Sequence, residues 1–198
     1  MARHKEMERK QIKSETRRKL LQAAADEFSG LGYDGANINR ISEAAGYAKG
    51  TIYNYFSSKR ELMLALIDQT GKKHFEFIKE QLEQEQDAAR RLERFFEVGF
   101  DYVEQNLARG RVMIGAVYGH DEEFKLCTYQ AYLPFFQFVA QDILALGIAQ
   151  GVFKEVDVVS TANLLMTIYL GTGSQVDKYG RPWLDPKHVA SLVMDGLR

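Results

Sequence analysis

Five residues within one short stretch carry groups suited to the edge of a base pair: Lys49, Gly50, Thr51, Tyr53 and Asn54. Ile52 and Phe56 stand four apart and belong on the buried side of a helix. That turns Gly50 and Asn54 directly outward, with Thr51 and Tyr53 beside them. An asparagine pairs bidentately with adenine, a Thr or Tyr hydroxyl reaches a phosphate or a base, and thymine methyl groups accept apolar contact. Gly50 allows close approach of the backbone, and the N-terminal end at Lys49 offers free N–H groups to a phosphate. Lys59, at the start of the next helix, is placed to hold a phosphate. The same pattern also fits an ordinary helical hairpin whose polar face is only solvated.

The elements that must position these groups are helices. Leu20, Ala24 and Phe28 recur at helical spacing, widened by Leu21 and Ala25, and predict a helix over 14–30 with Ser14 as N-cap. Gly30 and Gly32 end it, and Tyr33-Asp34-Gly35 turns. Asn37 caps a second, two-turn helix with Ile38, Ile41 and Ala45 inward, stopped by Gly46. A third helix spans 48–56. Two short helices around a glycine turn form the helix-turn-helix layout, whose second helix enters the major groove. Ser58 and Glu61 then form a capping box opening a fourth helix to about Glu83.

Helical periodicity continues to the C-terminus. It predicts helices over 87–107, 111–118, 121–150 (kinked at Pro134), 157–175 and 185–197, the last with Asp185 ahead of a first-turn Pro186. No strand is expected. The predicted fold class is all-α, about nine helices: a three-helix helix-turn-helix DNA-binding domain over 1–60, and a larger helical domain over 61–198, to which the family resemblance described below implies effector binding and dimerisation.

Charge divides along the same boundary. Residues 1–60 hold 12 Lys/Arg against 7 Asp/Glu, and residues 61–198 hold 14 against 20. Only one end of the chain attracts polyphosphate. Apolar residues make up 45% of the 198, which suits a globular protein rather than a rod or a disordered tail. The single cysteine, Cys127, excludes a disulfide framework. The first 18 residues are charged and lack the apolar core of a signal peptide, and no uninterrupted apolar run reaches membrane-spanning length. A cytoplasmic protein with no membrane partner is expected.

The run Leu20-Leu21-Gln22-Ala23-Ala24, Phe28, Gly32-Tyr33, Ile41, then Ala45 through Phe56, Lys59 and Leu62 resembles the N-terminal domain of TetR-family transcriptional regulators. The match is dense over about 15–65. The rest agrees only in length and helical layout. The resemblance implies a homodimer that binds a palindromic operator in double-stranded DNA. It places Lys49, Gly50, Thr51, Tyr53, Asn54 and Tyr55 at the DNA, with Asn37, Asn39 and Arg40 from the preceding helix. The helical wheel puts Tyr55 nearer the buried edge. Ala36 and Ala48 stand where the family often has a hydroxyl residue, which removes a phosphate contact and weakens a cap. The last two helices are implied to form the dimer, with Leu164, Leu165, Ile168, Val189, Leu192 and Val193 as its apolar residues.

The body is rich in aromatic residues, most of which belong in a core. Buried tyrosines also need partners for their hydroxyls. Tyr102, Tyr129, Tyr132, Met166 and Tyr169 are the expected contacts of a small, largely apolar or aromatic effector, with Pro134 breaking the helix to make room beside Tyr132. The expected function is a ligand-responsive regulator, most often a repressor in this family, released from its operator when the effector shifts the fourth helix.

An enzyme is not expected. His4, His74, His120 and His188 are scattered without metal-ligand spacing, and no glycine motif cradles a phosphate. His120-Asp121 as a base with its acid rests on adjacency alone. No metal or cofactor is called for. A general architectural DNA binder would be basic throughout. A pure protein-interaction bundle would have neither operator nor effector.

Overall fold

The computed structural model describes residues 2–177 and 181–198. The side chains of Ala2, Arg3, Gly173 and Ser174 are outside that description, as are residues 178–180 altogether. The fold is all-α: α1 (Ala2–Gly35), α2 (Ile38–Ala44), a 3-10 turn (Thr51–Asn54), α3 (Lys59–Leu82), α4 (Ala88–Gln105), α5 (Leu107–Tyr118), α6 (Glu122–Phe138), a π-helical segment (Val139–Ala145), α7 (Leu146–Ala149), α8 (Val158–Ser174) and α9 (Pro186–Leu197). The only β pairing among the described residues is an isolated bridge between Val176 and Pro182.

The first helix starts well before Ser14. Its charged segment consists of good helix formers and is laced by exposed i,i+4 pairs, His4 with Glu8 and Lys10 with Glu6. Ser14 is therefore interior, not a cap. The helix continues through Gly30 and is interrupted at Gly32, where φ is +71°.

Asn37 caps α2 as expected, accepting from the N–H of Asn39 at 2.9 Å and of Arg40 at 3.4 Å. The helix ends at Ala44, and Gly46 just beyond its cap turns the chain at φ +84°. Gly46 N–H donates to Glu43 and Tyr47 N–H to Ser42, the paired bonds of a Schellman turn. Ser58 caps α3 through the Glu61 N–H. Glu61 does not close the box on Ser58; its carboxylate reaches one residue further, to the N–H and hydroxyl of Ser57, both at 2.6 Å.

In the body, α5 begins four residues earlier than the sequence suggests. Pro134 sits inside α6 without ending it, and the irregularity is the π segment that begins at Val139. Glu122–Ala149 is thus one helical run, long and apolar enough by length and composition to cross a membrane. Half of its most apolar window is buried inside the protein, as a core helix requires. It lies along α3, and α4 lies under both α8 and α9. The core is continuous from Leu20, Phe28, Ile41, Ile52 and Phe56 through α3 to Phe95, Phe96, Phe135 and Tyr169.

Candidate nucleic-acid interface and effector cavity

The reading element is shorter and tighter than predicted. The expected helix over 48–56 is a four-residue 3-10 turn flanked by turns, with Thr51 N–H donating to Ala48 and Tyr53 N–H to Gly50. With three residues per turn, Tyr53 follows directly above Gly50 and Asn54 above Thr51. Ile52 and Phe56 are fully buried and anchor it, as the spacing required. Lys49, Gly50, Tyr53 and Asn54 are exposed, Tyr53 by 51%. Thr51 is half-buried. Tyr55 is also half-buried and packs on the core, in line with the helical wheel. The turn is fastened by the Ser42 hydroxyl donating to Ala48 O (2.7 Å) and by Tyr47 donating to Thr16 (3.2 Å).

The flanking groups are more engaged than the sequence suggested. Arg40 pairs with Glu27 at 3.0 Å, and the other Glu27 oxygen accepts from Asn37 N–H. Asn37 is occupied as a cap, and Asn39 is half-buried beside it. Lys49 lies 3.6 Å from Glu43 and remains largely exposed. Lys59 differs most from expectation. Its ammonium donates to the carbonyls of Asp34 and Ala36, both at 3.1 Å, and lies over the Tyr33 ring. It ties the loop before α2 to α3.

One ion-pair cluster joins this unit to the body. Arg60, in the first turn of α3, holds Asp121 bidentately at 2.8 and 2.9 Å and also pairs with Glu123, its guanidinium over the Phe124 ring. The Tyr33 ring meets Phe124 edge-on from the same side. Asp121 is also the cap of α6, so its carboxyl is held below the usual range, first by Arg60 and then by backbone N–H groups.

A cavity of about 60 Å³ lies between α3, α4, α5 and α6. Thr70, His74, Tyr102, Arg109, Met113 and Tyr132 are among the residues lining it. Of the five expected effector residues it brings together Tyr102 and Tyr132. Met166 and Tyr169 are buried behind the wall. Tyr129 is 63% exposed and away from the cavity. On α6 the inward stripe is Thr128, Ala131, Tyr132 and Phe135, and Tyr129 falls one position off it.

The centre of this wall is His74, which the sequence reading left without a role. It is 2% exposed. Its Nδ1 lies 3.0 Å from the Tyr132 hydroxyl and its Nε2 lies 2.6 Å from the Tyr169 hydroxyl. Its ring stacks on Tyr102 at 4.3 Å. Burial holds the imidazole pKa down at about 3, so it is neutral, with one donor and one acceptor nitrogen. Tyr169 is fully buried, so an unpaired hydroxyl proton there would be costly. Tyr169 therefore donates to Nε2, Nδ1–H donates to Tyr132, and the Tyr132 proton is left facing the cavity. The available signal was a pair of polar residues, Thr70 and His74, on an apolar stripe of α3 (Met63, Ile67, Ile78). Arg109 escaped notice because α5 was expected to start at Arg111.

The expected dimer residues divide. Leu164 and Leu192 are exposed, Ile168 and Val193 half-buried. Leu165 and Val189 are buried in the protomer's own core. Among the described residues no group of three or more His, Cys, Asp or Glu side chains could hold a metal ion.

A helix-turn-helix unit with an exposed polar reading turn, mounted on a helical body, is the architecture of a DNA-binding transcriptional regulator. The family model described as bacterial regulatory proteins, tetR family, matches residues 20–66, and the N-terminal domain of this chain is a TetR-family domain. The chain is 33% identical over 94 residues to the HTH-type transcriptional activator FasR of Mycolicibacterium smegmatis, covering 48% of this chain and 43% of that protein. It is 34% identical over 65 residues to the HTH-type transcriptional repressor AcnR of Corynebacterium efficiens, covering 33% and 35%. These matches span less than half the length of either relative. In the whole fold it is similar to the transcriptional regulator FadR of Bacillus subtilis, solved in complex with stearoyl-CoA, with a TM-score of 0.76, 20% identity, and coverage of 89% of this chain and 95% of that one.

Proposed function

We propose that this protein is a ligand-responsive repressor that binds a palindromic operator as a homodimer and is released by a small, largely apolar or aromatic effector. The observation that carries this reading is the course of α3. It begins beside the reading turn, where Arg60 grips α6, and its buried stripe carries Thr70 and His74 to the cavity wall. A ligand that moves α3 or α5 thereby moves the exposed Lys49, Gly50, Tyr53 and Asn54 relative to a second copy. Two such copies address half-sites about one DNA turn apart. AcnR, a repressor, supports repression, and the stearoyl-CoA bound by FadR supports an apolar ligand. The chain acts through residues 1–60 on DNA and 61–198 on effector and partner, in the cytoplasm, with no catalytic step and no membrane partner.

The test is selection of binding sites from random double-stranded DNA, at fixed salt with excess competitor. A palindromic motif, lost on Tyr53→Ala and recovered at lower affinity with Lys49→Ala, is expected. A motif without two-fold symmetry overturns the dimer, and no motif at all overturns the regulator. A reporter placed behind the motif separates repression from the activation seen in FasR.

A further inference from the structure

We infer that the cavity between α3, α4 and α5 takes an amphiphile with a single anionic head, carboxylate or phosphate, held by Arg109, and an apolar tail running along α5 toward Val176. The inference rests on the effector reading above and names the chemistry of that effector.

Arg109 is 6% exposed. Its guanidinium donates only to neutral groups, Thr70 Oγ1 at 3.1 Å and Gln22 Oε1 at 3.5 Å. Asp26 acts on it from further away, beyond ion-pair distance. Burial pushes its pKa down, against the charged form. Lys73, next to His74 in sequence, has its pKa lowered first by burial and then by Arg109 and Arg18. A buried charge is ordinarily paired. Here the missing partner is an anion, and the cavity is where it would sit. A guanidinium with unused N–H groups receives a carboxylate or phosphate bidentately. The Tyr132 proton, left free by the His74 relay, supplies a second donor to the same space. A cationic head would be repelled by Arg109.

The tail has a path. A second cavity, about 160 Å³, is lined by Val103, Leu107, Gly110, Arg111, Ile114 and Val176 and shares Val103, Gly110 and Ile114 with the first. The first space holds about two waters, enough for a head group but far below the several hundred Å³ of an ordinary ligand pocket. A bound amphiphile must therefore push Val103 and Ile114 aside and shift α5. Helix α5 packs directly on α1 of the DNA-binding unit. A head group on Arg109 also competes with Gln22, which belongs to α1.

The test uses the full chain and its selected operator, with octanoate, octyl phosphate, octanol and octyltrimethylammonium as probes. Calorimetry gives affinity, and operator retention gives release. One of the two anions is expected to bind at least tenfold tighter than octanol and to release the operator, and whichever anion wins identifies the head. The cation is expected not to bind. Arg109→Gln should bring the anion down to the affinity of octanol, and Arg109→Lys should retain part of the preference. Gly110→Leu tests the tail independently of Arg109, because a Cβ there meets only Val103 Cγ1 at 3.8 Å, so the helix tolerates it while the junction is filled. It should weaken the preferred anion at least tenfold. Octanol or the cation binding as well as the tighter of the two anions, or neither anion binding to protein that holds its operator, overturns this inference and leaves the regulator standing. Failure to select any operator overturns the regulator itself.

Discussion

Tyr169 crosses α4 so closely at Gly99 that a Cβ on Gly99 would lie 2.1 Å from Tyr169 Cε2 and 2.4 Å from its hydroxyl. Only a glycine lets the ring pass and deliver that hydroxyl to His74. The contact is with a rigid ring that also packs on Phe95, Phe96, Phe100 and Phe135, so it has nowhere to retreat. Gly99→Ala is expected to destabilise the fold by about 1–3 kcal/mol, the usual cost of overpacking. Tyr169→Phe should cost a similar amount, about 1–3 kcal/mol, by leaving His74 Nε2 buried without a donor. Urea unfolding of the two variants measures both. A Gly99→Ala protein as stable as the parent would mean the two helices are free to separate.

Acid should act through His74. Its folded pKa of about 3 lies below the ordinary 6.5, because burial disfavours the imidazolium. Between these values the unfolded chain binds the proton and the folded chain does not. Stability therefore falls as pH drops below about 6, by up to about 1.4 kcal/mol per pH unit from this group. His74→Gln removes the titration and should flatten that part of the profile. Parallel profiles for parent and variant between pH 4 and 6 would show that other groups dominate acid unfolding.

The Arg60–Asp121 pair is only partly buried and still reaches solvent, so its contribution lies in connection more than in stability. Arg60→Met is expected to lower the unfolding temperature little while weakening operator binding several-fold, since the reading unit is then free to move against α6. Asp121→Asn should have a similar effect, and the double variant should be no worse than either alone. Operator affinity and thermal unfolding measured together check this. Additive losses would place the two residues in separate roles.

Gly50 faces open space, with nothing within 4 Å of a Cβ built there. Gly50→Ala should therefore fold as the parent does and still lose operator affinity, because the added methyl stands where the reading turn must approach the bases. Lys49→Ala should instead weaken binding to all sequences alike and reduce the salt slope by about one. Titrations of operator and random duplex at several salt concentrations separate the two. An unchanged operator affinity for Gly50→Ala would move the DNA away from this turn.

Much of this fold was legible because burial at helical spacing leaves a periodic trace. Leu20, Phe28, Ile41, Ile52 and Phe56 are all in the core where the pattern put them. Caps were legible for the same local reason: Asn37, Ser58, Asp157 and Asp185 each accept an N–H in the first turn. The recognition element was misjudged because α and 3-10 geometries bury the same Ile52 and Phe56, and apolar spacing alone does not separate them. The charged start of α1 was missed because a helix stabilised by exposed ion pairs has no apolar stripe to read. At the cavity, Tyr102 and Tyr132 of the five expected tyrosine and methionine positions line the space, and Arg109 and His74 line it without having been expected there. Their role depends on which neighbours meet across four helices, and no local pattern records that.

The exposed faces of α8 and α9 give the last prediction. Leu164 is 59% exposed and Leu192 61%, each beside a half-buried neighbour, Ile168 and Val193. Leu165 and Val189 are buried in the protomer. If the outer residues meet a second copy, Leu164→Glu and Leu192→Glu should sediment as monomers at concentrations where the parent is a dimer, since an obligate interface is apolar and a buried unpaired carboxylate is not tolerated there. Those monomers should also lose the palindromic operator while keeping weak binding to random DNA. Leu165→Ala should do the reverse: it should lose about 2–5 kcal/mol of stability as a core truncation and remain dimeric below its unfolding temperature. A parent protein that sediments as a monomer at tens of micromolar would leave these leucines exposed for another purpose and would require a single half-site on the DNA.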